Sequence, residues 1–134
     1  MSDQITIVII ATRSLPLADG LDALLKAIPQ IEKVEIIRTI EQAMQRVEEA
    51  KPRALLLDLA LAGKKPEAFL EKIILHSPET LRVLLVDDVQ DMKWQPQFAE
   101  AILIKGASPS AFATTLTNLL ALKRDESEQI QSQE

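Results

Sequence analysis

The chain has 134 residues, a net charge of −5, 47% apolar and 26% charged residues, and no cysteine. That length and balance suit one globular domain with a substantial core, and they exclude a disulfide framework and a thiolate metal site. Lys and Arg are scattered along the chain rather than gathered into a nucleic-acid footprint, and no apolar run approaches the roughly 20 residues that span a bilayer.

The polar start, MSDQ, lacks a basic region followed by an apolar one, so no secretory signal is visible and a cytoplasmic location is expected. Contact with nucleic acid or membrane is not expected. Aromatics are only 3% of the chain, so the core must be built from Leu, Ile, Val and Ala.

Short apolar runs alternate with amphipathic patterns. ITIVIIA (5–11) is β-branched and continuous, as in a strand buried on both faces. Leu17, Leu21, Leu24, Leu25 and Ile28 then recur at helical spacing, with Ser14 as N-cap and Pro29 as the stop. VEIIRT (34–39) reads as a second strand. Thr39 and Gln42 form a capping-box pattern ahead of the apolar face Ile40, Ala43, Met44, Val47.

ALLLDLAL (54–61) is a third strand, and Phe69, Leu70, Ile73 and Ile74 mark a third helix. LRVLLVDD (81–88) is a fourth strand and AILIK (101–105) a fifth. Ser108 and Pro109 suit the N-cap and first position of a last helix carrying Phe112, Leu116, Leu119 and Leu120. Between strands four and five, VQDMKWQPQFAEA contains Pro96 and little helical period, which predicts an irregular or shortened fourth helix.

Strands alternating with helices predict a parallel sheet covered on both faces. Five such units in this length fit a flavodoxin-like, doubly wound α/β fold with strand order 2-1-3-4-5. Residues 1–122 form this domain; 123–134 are a polar tail, expected to be a helix end followed by disorder.

In this architecture ligands meet the carboxyl ends of the strands. Those ends carry Thr12, Arg13 and Ser14 after strand one, Asp58 at strand three, Asp87 and Asp88 after strand four, and Lys105 and Gly106 after strand five. Carboxylates facing a lysine suit a phosphate or Mg²⁺ site, without specifying one. Alternation along a strand turns Asp87 and Asp88 to opposite faces, which argues against both serving one ion.

At these residues the chain resembles a response-regulator receiver domain. ALLLDLALAG is similar to the strand that carries the phosphoacceptor aspartate, with Gly63 where the family's following loop has glycine. ILIKGASPSAF is similar to the fifth strand, the conserved-role lysine and the start of the last helix. LPLADGLDALL resembles the first helix of receivers that precede a helix-turn-helix DNA-binding domain. The resemblance spans about Gln4 to Leu122 and implies that Asp58 stands at the phosphoacceptor position and Lys105 at the phosphate-contacting position.

Four departures accompany it. The family's Mg²⁺-holding acidic pair follows the first strand, where this chain has Thr12-Arg13. A hydroxyl and a cation there remove carboxylate ligands and add repulsion. The Ser/Thr switch position at the end of strand four falls on Asp87, which repels a phosphoryl oxygen. The aromatic switch position falls on Ile102. The fourth unit also has about one helical turn fewer than the family pattern.

The expectation is therefore a degenerate receiver, a non-enzymatic protein–protein interaction module in two-component or phosphorelay signalling, with no cofactor. Its partner would be a separate signalling protein, such as a histidine kinase or an output protein, or a second copy of the chain. The family's docking face of fourth helix, fifth strand and fifth helix here carries Trp94, Phe98 and Ile102. The alternative is a working receiver that binds Mg²⁺ and is phosphorylated on Asp58. A small-molecule sensor is a third reading, but no glycine-rich phosphate loop follows strand one. For Arg13, two orientations are open: into solvent, or into the pocket to pair with Asp58 or Asp87 in place of a metal.

Overall fold

The computed structural model describes residues 6–64, 66–88 and 98–132, with side chains described as far as Ala121. Five parallel strands form one sheet in the order β2-β1-β3-β4-β5, as the sequence predicts. They are β1 (Ile7–Ala11), β2 (Lys33–Ile37), β3 (Ala54–Asp58), β4 (Leu81–Val86) and β5 (Ala101–Ile104). The helices are α1 (Leu15–Lys26), α2 (Ile40–Ala50), α3 (Pro66–His76) and α4 (Pro109–Ser132). The expected fourth-unit helix falls in 89–97, outside the described residues, as does Trp94. The boundary expected at Leu122 falls within α4.

Every residue of β3 and β4 is buried, because each strand has a sheet neighbour on both sides and helices on both faces. Side-chain alternation divides the core into two layers. Val8, Ile10, Leu56, Val83 and Leu85 pack with Leu21 and Leu25 of α1 and Phe112, Leu116 and Leu120 of α4. Ile9, Ala11, Leu55, Leu57 and Leu84 pack with Ala43 and Val47 of α2 and Phe69, Leu70 and Ile73 of α3.

The helix starts follow their caps. Ser14 Oγ accepts from Leu17 N, Thr39 Oγ1 from Gln42 N and Ser108 Oγ from Ala111 N. Several strand and helix ends differ by a few residues from the sequence reading, and two of them have a visible cause. The helix α1 stops at Lys26, before Pro29, because Ala27 N and Ile28 N turn back to Leu24 O and Leu25 O. Strand β3 stops at Asp58, because Leu59–Ala62 winds into a 3₁₀ turn capped by the Asp58 side chain. That turn ends at Gly63 with φ +75°, a conformation that favours glycine.

At the opposite, amino end of the sheet, Arg82 clasps the chain returning to β5. Its guanidinium donates to Phe98 O, Thr80 O and Glu100 Oε2, while Glu100 Oε1 accepts from Arg82 N. Leu56, fully buried in the middle of β3, tests the packing. Leu56→Ala should lower stability by about 2–5 kcal/mol in a denaturant titration. Leu75→Ala, at a 76% exposed position, should stay within about 0.5 kcal/mol of the parent.

Candidate functional site

Strand register assembles the site. Ala11 pairs with Ile37 on one side and with Leu57 on the other. The next row across the sheet therefore brings Arg38, Thr12 and Asp58 side by side at the carboxyl edge. Across β3, Asp58 pairs with Leu85, and Leu85 pairs with Leu103. Two residues further along those strands, Asp87 and Lys105 meet, with Lys105 N held by Val86 O at 2.8 Å.

Asp58 is 4% exposed, and both oxygens of its carboxylate are engaged by the chain itself. Oδ2 accepts the Thr12 hydroxyl at 2.6 Å. Oδ1 accepts from Ala60 N at 3.0 Å and lies 2.5 Å from Lys105 Nζ. Thr12 is itself fixed, since its Oγ1 accepts from Ser14 N at 3.1 Å. Lys105 Nζ also lies 3.3 Å from Asp87 Oδ1, so one ammonium bridges two carboxylates. Burial alone would push the Lys105 ammonium down. The hydrogen bond and charge of Asp58, then those of Asp87, outweigh burial and hold its pKa above the ordinary value.

The structure thus brings together Thr12, Asp58, Asp87 and Lys105 of the strand-end residues named from the sequence. The pocket orientation considered for Arg13 does not occur. Arg13 is exposed and pairs with neither Asp58 nor Asp87. It follows Thr12 directly, and neighbouring side chains on an extended chain diverge. With Thr12 committed inward, Arg13 turns out, and Lys105 supplies the compensating charge. On the proposed docking face, Phe98 and Ile102 are half-buried against the layer under α2 and α3.

Sequence reasoning placed Thr12 at the pocket edge, where it replaces a metal ligand, and missed its bond to Asp58. It passed over Arg38 altogether. The register of β2, β1 and β3 was the signal needed for both, and hydrophobic pattern does not supply it. Among the described residues no group of three or more His, Cys, Asp or Glu side chains gathers as metal ligands. An apolar groove of about 1310 Å³ between α1 and α4, lined by Leu17, Leu24 and Phe112 among others, reaches Asp87 and Lys105.

No family model matches the sequence, and no curated protein sequence matches it significantly. Solved structures do match. A CheY-like response regulator receiver domain protein from Methanospirillum hungatei superposes with a TM-score of 0.78 at 17% identity, over 91% of this chain and 98% of the other. The signal receiver domain of an HD domain-containing protein from Pseudomonas fluorescens gives 0.77 at 18% identity, over 96% of each chain. The isolated receiver domain of RcsB from Salmonella enterica serovar Typhimurium, in the presence of phosphomimetic BeF₃⁻, gives 0.69 at 20%, over 86% and 88%. The chain has the receiver-domain fold. Within that fold Asp58 closes the third strand and Lys105 follows the fifth, the places the sequence resemblance assigns to them.

The raised Lys105 pKa carries a sign. A cation stabilised in the folded state contributes fully below the unfolded value, about pH 10.4, and loses that contribution as pH rises through the higher folded value. Lys105→Met should therefore be less stable than the parent at neutral pH, and the gap should narrow above about pH 10.5. Urea midpoints of both proteins, measured across pH 7–11, check this; a gap that does not change with pH would contradict it.

Proposed function

We propose that the chain is a degenerate receiver that works as a protein–protein interaction module in two-component signal transduction and is not phosphorylated by the Mg²⁺-dependent route. The observation that carries this reading is the Thr12 hydroxyl 2.6 Å from Asp58 Oδ2. It stands beside the acceptor position, at the strand end where the resemblance implies metal-holding acids. Mg²⁺ requires several carboxylate or water oxygens near octahedral geometry. Around Asp58 the described neighbours are instead a hydroxyl donor, a backbone N–H and an ammonium, and this donor set does not fit the ion.

Asp87 adds to the argument. Its carboxylate lies 3.3 Å from the lysine that would otherwise meet an incoming phosphoryl group, so it competes for that cation and repels the group. Signalling would then pass through binding, to a separate kinase or output protein or to a second copy of the chain. No reaction step is required of the chain itself, and the protein is read as a non-enzyme.

One observation favours the alternative. Asp58 and Lys105 remain in contact, and that pair is what a phosphoacceptor receiver needs at its centre. Acetyl phosphate with Mg²⁺ separates the two readings. The expected result is no phosphoryl adduct by intact mass and no change in amide spectra near Asp58 on adding beryllofluoride. An acyl phosphate that forms on the parent and is lost in Asp58→Asn would establish the alternative instead.

A further inference from the structure

The exposed cations at the same edge carry an inference that deepens the reading as an interaction module, and rests on it. Arg13 follows β1 and Arg38 follows β2, and both are exposed. The two strands are paired in register through Ala11 and Ile37, so Arg38 falls in the row of Thr12 and Arg13 one position beyond it, on neighbouring strand ends. The Arg38 guanidinium reaches the Arg13 carbonyl, at a long 3.5 Å.

Two other arginines are charge-paired. Arg46 is held by Glu35 and Glu49 and Arg82 by Glu100, while Arg53, like Arg38, reaches a backbone carbonyl, that of Leu120. Arg13 and Arg38 have no carboxylate partner among the described residues. Lys64, exposed in the loop after β3, extends the same sign on the other side of β1. The acids within the site do not cancel this charge, because Asp58 and Asp87 are both engaged by Lys105. Glu41, in the first turn of α2, is exposed and makes no ion pair with either arginine.

A chain of net charge −5 thus carries, at the carboxyl edge of its sheet, two exposed arginines on neighbouring strand ends with no carboxylate partner among the described residues. Guanidinium presents planar, forked donors that match carboxylate and phosphate oxygens, and it gives up hydration more readily than ammonium. We propose that Arg13 and Arg38 form a docking surface for an anionic segment of a partner protein, recognised through its carboxylate or phosphorylated side chains. The edge of the sheet then takes hold of negative charge from outside, while Asp58 beneath it stays closed.

Hexaglutamate is a suitable probe, because the net charge of the chain repels it and only a local reversal of sign would hold it. Titrated into the ¹⁵N-labelled full chain, it should give saturable shifts centred on the amides of Arg13, Arg38 and Thr39. The Arg13→Glu/Arg38→Glu variant, altered only at exposed positions and checked by circular dichroism, should bind at least about tenfold more weakly. Raising salt from about 0.05 to about 0.5 M should weaken binding several-fold.

Shifts centred on the α1–α4 groove, binding retained in the double variant, or no saturable shift would each overturn the proposal. A short DNA duplex that produced the same shifts more strongly than the peptide would overturn it in favour of a nucleic-acid surface. Formation of an acyl phosphate on Asp58 would refute the degenerate reading while leaving the peptide result intact. Loss of peptide binding without phosphorylation would refute only the docking surface.

Discussion

A carboxylate buried at the end of the central strand must be neutralised, and much of the carboxyl edge is organised around that need. Asp58 has almost no contact with solvent. An isolated ionised carboxyl in such a place costs several kcal/mol or more. Two strand ends and a turn answer it: β1 through Thr12, the 3₁₀ turn after β3 through Ala60 N, and β5 through Lys105. Lys105 then ties the end of β4 into the same knot through Asp87. The order β2-β1-β3-β4-β5 makes this feasible, because it places β1 directly against one side of β3 and leaves β4 and β5 on the other.

Much of this was legible beforehand. Continuous apolar runs identified β1, β3 and β4 because strands buried on both faces cannot carry polar alternation. The Ser14, Thr39 and Ser108 caps were readable because capping is local chemistry. Asp58 and Lys105 could be located at strand ends because each closes such a run. What lay beyond reach depended on register. Nothing local in Thr12-Arg13 says which of the two turns inward, and only alternation along β1, fixed by its pairing with β3, commits Thr12 to Asp58. The outward turn of Arg13 follows from that same commitment.

On the reading proposed above, the centre of this receiver-like scaffold serves stability rather than exchange. In a site built for phosphoryl transfer, an acceptor carboxylate is kept available at a cost to stability, a common trade at functional sites. Here each Asp58 oxygen is engaged by the chain's own donors, and the cation that would meet a phosphoryl group is shared between two carboxylates. On the proposed reading, recognition lies at the charged edge above the buried aspartate. An interaction module needs no more than this: a stable sheet to hold an exposed surface in one shape.

The central claim is that Asp58 now serves the fold. Comparing denaturant midpoints of the parent and Asp58→Asn tests it most directly. The near-isosteric change removes the charge that Lys105 and Thr12 address, and hydrogen bonds to charged groups contribute about 1.5–3 kcal/mol. The account predicts a loss of stability of that order. A variant as stable as the parent, or more stable, would contradict it and mark Asp58 as a carboxylate still held for chemistry.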